Sequence, residues 1–117
     1  MAPAVDVSSY QYNMNVVAIV DIDGTYQSSG YLLAYVGDSL RGVAESETDP
    51  VPVGPYAGLN PFFMIVYSNT NGESLSFELE QNGATIALTM DNSIQFAADG
   101  AEGNVIAPVL LSGTVNG

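Results

Sequence analysis

Along the chain, apolar and polar residues alternate with a period of two. Tyr12, Met14, Val16, Ala18, Val20 and Ile22 put every second side chain on one face, with Asn13, Asn15 and Asp21 on the other. Val17 and Ile19 make the middle of this strand apolar on both sides. Asp23-Gly24 marks a turn. Gly30 to Val36 is a second β-rich run, apolar on both faces and broken by Gly37-Asp38, and Leu40 to Ala44 resumes as a short strand. Phe62 to Tyr67 is a further strand, followed by a turn over Ser68 to Gly72. Ser74 to Glu80 alternates cleanly, with Leu75, Phe77 and Leu79 inward and Ser76, Glu78 and Glu80 outward. Asn82-Gly83 is the strongest hairpin signal, and it brings Ile86, Leu88 and Met90 to the same core.

The remaining segments are irregular. Glu45 to Pro61 holds four of the six prolines (Pro50, Pro52, Pro55 and Pro61), each removing a ladder donor, so it reads as a long loop or irregular edge. Asp91-Asn92 turns into Ile94 to Phe96, and Asp99 to Gly103 is a turn cluster. Pro108 precedes Val109, Leu110 and Leu111, which read as an edge strand. About eight short strands with no helical window and no repeat predict an all-β fold, specifically a single-domain antiparallel β-sandwich of Ig-like or jelly-roll-like type. That domain spans residues 1–117, with an N-terminal arm over 1–9 and the Pro-rich loop over 45–61.

Composition narrows the chemistry. The 117 residues carry one basic side chain, Arg41, against thirteen acidic ones, a net charge of −12. Nucleic acid and anionic membrane surfaces both need clustered Lys and Arg, so neither is an expected partner. With no His and no Cys, the usual general base, thiolate and soft metal ligands are missing. Two carboxylates suffice for a glycosidase, but the expectation is a protein that is not an enzyme. Met1 to Asp6 lacks the basic region and apolar stretch of a secretory signal, and the longest apolar run, Val16 to Val20, has a strand's length. Membrane insertion is therefore not expected.

The order of motifs resembles a family of modules in secreted and cell-surface proteins of Bacteroidota, often found upstream of a type IX secretion sorting signal. Four segments carry the likeness. Tyr12-x-Met14 leads into an apolar strand that ends at Asp21 to Gly24. Leu33 to Asp38 is followed by Arg41-Gly42-Val43-Ala44. Ile65 to Asn69 precedes Gly72-Glu73-x-Leu75-x-Phe77. Ile94-x-Phe96-x-x-Asp99 comes before Gly103 and Pro108. Together they span about Tyr10 to Leu111. No sorting domain follows Leu111, so the secretion route is implied for a parent protein. The resemblance implies an exported β-sandwich module, extracellular or at the cell surface, and it carries over no catalytic site.

Candidate functional residues divide into three groups. Arg41, alone among carboxylates, is expected to form a structural ion pair with Glu73 or Glu78 rather than grip an anionic ligand, which the surrounding negative field opposes. Asp21-x-Asp23-Gly24 resembles the start of a calcium loop but has its glycine at position 4 and no Glu at position 12. Asp21, Asp23, Asp99 and Glu102 remain candidate calcium ligands if neighbouring loops converge, with Asp38, Asp49 and Asp91 nearby in the same role. No other cofactor is expected. Tyr10, Tyr26 and Tyr56, beside Ser, Gln or Gly positions, are candidates for a sugar-stacking platform.

The apolar ends, Ile106 to Val115 and Ala2 to Ser9, are candidates for strand addition to a neighbouring copy. These readings favour a non-catalytic, extracellular structural or adhesive module of a bacterial surface, with Glu45 to Pro61 as the contact region. Its expected partner is a protein or glycan at the cell surface. The alternatives are a carbohydrate-binding module of an exported enzyme and a self-assembling filament or shell subunit.

Overall fold

The computed structural model describes residues 5, 7–46, 50–52, 54–81, 83–90, 94–103 and 108–114. Behind a 3-10 turn at Val7–Ser9 come nine strands: β1 (Tyr12–Ile22), β2 (Thr25–Tyr26), β3 (Tyr31–Val36), β4 (Ser39–Glu45), β5 (Phe62–Ser68), β6 (Ser76–Gln81), β7 (Ala84–Met90), β8 (Ala101–Glu102) and β9 (Val109–Gly113). No helix among the described residues is long and apolar enough to cross a membrane.

The all-β expectation holds, but the architecture is a closed barrel rather than two stacked sheets. Seven strands follow one another around it as β1-β5-β4-β3-β6-β7-β9, and β9 returns to pair with β1. Six of the seven junctions are antiparallel, and the seventh, β9 to β1, is parallel. Parity requires this. An odd ring of alternating directions cannot close without one parallel step. Alternation of inward and outward side chains looks the same in a sandwich and in a barrel, so the pattern alone does not separate them. The path β3-β4-β5, with β6 returning beside β3, has the strand order of a Greek key.

The segment around Val109 to Leu111 is therefore not an edge. Leu111 faces Val20 on one side and Met90 on the other, and Ser112 faces Asp21 and Thr89. Two further strands stand outside the sequence expectation. Ala101–Glu102, inside the expected turn cluster, runs parallel to β1 at Asn15 and Val16. Thr25–Tyr26 completes a hairpin with the end of β1. Asp23 and Gly24 both take positive φ, 53° and 87°, as a tight two-residue hairpin turn requires.

The inward faces pack into one core. Even-numbered residues of β1, from Met14 to Ile22, meet Leu32 and Ala34 of β3, Phe62, Met64 and Val66 of β5, Phe77 and Leu79 of β6, and Leu111 of β9. Large and small residues alternate across the wall. Phe77 lies opposite Ala34, and Ala34 opposite Gly42, while Met64 packs where a Gly42 side chain would stand. Burial of each large apolar side chain contributes about 1.5–3 kcal/mol. Ile94 and Phe96, expected as a strand, instead make a short bridge to the 72–75 turn and join the core from one end of the barrel. The apolar double faces of β1 and β3 are real as well: outward-phase Ile19 and Leu33 are buried.

The Pro-rich loop folds on itself at the opposite end. Val51 donates its N–H to the Leu59 carbonyl and accepts from Gly58 N–H, and its side chain is buried. Residues 47–49 and 53 of this loop lie outside the described residues, as do Asn82 of the β6–β7 hairpin and the Asp91-Asn92 turn.

Where β8 gives way to β9, the backbone presses against β1. A Cβ on Gly103 would stand 2.5 Å from the Val17 carbonyl oxygen and 2.8 Å from the Val109 nitrogen, at φ +77°. Gly103→Ala is expected to lower stability by about 2–4 kcal/mol from strain and overlap together. Gly72→Ala, at φ +90° with nothing within 4 Å of the new Cβ, should cost about 1 kcal/mol. Denaturant midpoints at unchanged slope would measure both.

Candidate functional site

Three surface features hold the residues of chemical interest. The first is built around Arg41 on β4. Its Nη1 lies 2.9 Å from Glu73 Oε1, and its Nε donates to Ser39 Oγ at 3.0 Å. Nη1 also reaches the Tyr67 carbonyl at 3.4 Å. The guanidinium carbon sits 4.8 Å from the centroid of the Tyr10 ring, within cation–π range, and Tyr10 Oη is 3.3 Å from Ser39 Oγ. Ser68, fully buried, donates to the same Glu73 oxygen. Its hydroxyl sits in phase with inward Phe62, Met64 and Val66, so a polar residue at a core position was the sequence signal for this contact.

Hydrogen bonds from Ser68 and then Arg41, aided by the Arg41 charge, hold the Glu73 carboxyl below its usual range, against a smaller opposing effect of burial. Glu78 has no part in this pair. It lies on β6 between Leu33 and Ala87. There, with Glu80, it adds to the desolvation that raises the Tyr35 hydroxyl.

The second feature is a depression of about 140 Å³ on the outer wall of β2, β1 and β9, lined by Ile19, Asp21, Tyr26, Leu110, Leu111 and Ser112. Register creates it. Asp21 lies directly opposite Tyr26 on one side and Ser112 on the other, and Ile19 lies beside Leu110. Tyr26 and Leu110 are 45% and 42% exposed, which is high for large apolar surfaces that have a core to join. Asp21 Oδ1 is sealed from solvent and has no hydrogen-bond partner among the described residues.

The third feature is an uncharged strip on β1, β4 and β5. Phe63 and Ile65 are exposed there beside Val17, Val43 and Tyr67, with Val5 of the N-terminal segment lying against the same wall. That segment is tied down at Ser9 and Gln11 through the Asn69 side chain.

The four candidate calcium ligands are not brought together. Asp99 N–H bonds to the Asn13 carbonyl at the start of β1, while Asp21 sits eight residues further along the strand, about 26 Å away at the rise of an extended chain. Glu102 lies beside Val16, between the two. Asp23 and Asp99 both adopt positive φ, 53° and 59°, which makes them turn-formers where a short polar side chain tolerates the left-handed region. No cluster of three or more acidic residues with metal-binding spacing occurs among the described residues. Asp49 and Asp91 lie outside them.

The tyrosines are likewise dispersed. Tyr10 is at the Arg41 end of the barrel with the guanidinium over its ring. Tyr26 is on the β2 hairpin, and Tyr56 is in the 54–58 turn of the Pro-rich loop, where its carbonyl accepts from Leu59.

Comparison with known protein families, curated proteins and solved structures returns no match to this chain.

Arg41→Ala is expected to cost about 1–3 kcal/mol, because it leaves the partly buried Glu73 with the Ser68 hydroxyl but without its charged donor; calorimetric melts would record the loss. The depressed carboxyl also sets a pH window. Its contribution is present in full above the unfolded-state value near 4.5 and is lost as pH falls through the lower folded-state value. The stability gap between the native protein and Glu73→Gln should therefore hold steady from about pH 7 to 5 and shrink below about 4.5.

Proposed function

We propose that the chain is a non-catalytic structural or adhesive module, displayed outside a bacterial cell, that carries tension between the segments flanking β1 and β9. The observation that supports this is the parallel pairing of those two strands over Ala18–Ile22 and Val109–Gly113. Chain enters β1 at one end of the barrel and leaves β9 at the other. Tension along the chain therefore pulls the two strands past each other lengthwise, and the hydrogen bonds between them are loaded together. An antiparallel pair pulled at adjacent ends opens one bond at a time. β1 is held on its other flank by seven cross-strand positions with β5, so sliding it disrupts both seams.

The other expectations fare differently on this geometry. Strand donation needs a terminal strand that is free or at an edge, and Val109–Gly113 is paired on both flanks. The N-terminal arm lies against the barrel as far as it is described. A flat sugar platform needs coplanar exposed rings, and Tyr10, under the Arg41 guanidinium, lies at the other end of the barrel from Tyr26 and Tyr56. Adhesion through protein contacts is the reading we favour, and the motif resemblance to exported modules supports a location outside the cell.

Single-molecule pulling tests the load-bearing role. Handles on the two chain ends should give an unfolding force several-fold above that of handles at Tyr31 and Glu45, a facing antiparallel pair. Ser112→Pro, which removes a donor from a strand paired on both sides, should lower the end-to-end force sharply. Equal forces in the two pulling geometries would rule the role out.

A further inference from the structure

We infer that the Asp21 depression is a binding site for a primary ammonium group, presented as a lysine side chain by a different protein. The inference concerns recognition and stands whether or not the module bears tension.

The chain itself shows how its surface holds a cation. Its only basic side chain, Arg41, is gripped by one carboxylate (Glu73), one tyrosine face (Tyr10) and one serine hydroxyl (Ser39). The Asp21 depression offers the same three kinds of group: Asp21, Tyr26 and Ser112, set side by side by strand register. It has no cation of its own. Asp21 Oδ1 is out of contact with water and unpartnered among the described residues, and a buried acceptor left without a donor is unfavourable. Oδ1 is sealed against an entering group as well as against water, so an N⁺–H seated in the depression compensates the Asp21 carboxylate from the part of the residue that lines it.

The remaining walls select the shape of the ligand. Leu110, 42% exposed, is the aliphatic side chain open at this depression and suits the methylene stem that carries a lysine ammonium. Tyr26, 45% exposed, gives the charge an aromatic face. The volume of about 140 Å³ admits one side chain and not an oligosaccharide. A calcium or magnesium ion needs several oxygen ligands, and Asp21 is the one carboxylate lining this depression among the described residues. A second copy of the chain has no lysine side chain to present, and its one arginine is committed to Glu73. The net charge of −12 draws cationic partners toward the whole surface, and the depression provides a specific seat.

The test is a titration of the intact protein, followed by amide chemical shifts, with a blocked glycine–lysine–glycine peptide, its Nε-acetylated form, n-butylamine and a glucose oligomer. The lysine peptide should shift residues 19–26 and 110–112 and bind at least about tenfold more tightly than the acetylated peptide. Asp21→Asn should weaken it by about tenfold and Tyr26→Leu by about threefold, with unchanged thermal melts. Tighter binding of the peptide than of n-butylamine supports a protein partner. Equal binding keeps the ammonium site and overturns the protein as its source. Equal binding of the acetylated peptide, indifference to Asp21→Asn, shifts spread over all the acidic loops, or a preference for the glucose oligomer would each overturn the assignment. The comparison of the two peptides needs no variant, so it decides the matter even if a substitution disturbs folding.

Discussion

Hydrogen bonds between β1 and β9 close the barrel, and most other properties of the structure follow from that seam. Without it β9 and β1 would each present an unpaired edge, and the inward face of β1 would lose the neighbour that brings Leu111 into the core. With it, the seven strands form a closed ring among the described residues, which leaves less open edge for edge-to-edge association. Gly103 marks the tightest point beside the seam. Only a residue without a side chain lets the chain pass between Val17 and Val109 as it moves from β8 to β9.

The same seam shapes the surface chemistry. Asp21, Tyr26, Leu110 and Ser112 come from three strands, and the parallel register of β9 against β1 places Leu110 beside Ile19 and Ser112 beside Asp21. A slip of one residue would turn Leu110 and Ser112 inward and dismantle the depression. At the Arg41 end the logic is electrostatic. A single guanidinium is spread over a carboxylate, a ring, a hydroxyl and a backbone carbonyl, tying β4 to the 68–73 turn and to the N-terminal segment. The carboxylates elsewhere keep a strongly negative surface around a neutral wall of Phe63, Ile65 and Val17.

Legibility differed sharply between local and long-range features. The strands over 12–22, 31–36, 62–68 and 84–90 were readable because each is a short run with at least one apolar face and the side-chain period is two. The Asp23-Gly24 hairpin was readable because its backbone needs positive φ at both positions. Glu73 was readable as one of two partners for a lone arginine. The choice between Glu73 and Glu78 was not, since it depends on the 68–73 turn folding back under β4 while β3 separates β4 from β6. Asp21 and Tyr26 each suggested a different chemistry, and Leu110 and Ser112 read only as parts of a terminal apolar segment. Nothing local to residues 110–112 indicates that they lie beside residues 19–21.

By itself, then, the sequence determined an acidic all-β fold, most of its strands, and a composition without His or Cys. These are local or additive quantities: side-chain period, turn chemistry and summed charge. Only the tertiary structure decided that the sheet is a closed ring, that its last strand is interior and parallel to its first, and that four scattered aspartates and glutamates stay apart while a carboxylate, a ring and a hydroxyl meet. Those outcomes depend on which strands pair and in what register. Pairing is a competition among whole-chain arrangements that alternating residues leave open, and packing and hydrogen-bond closure resolve it.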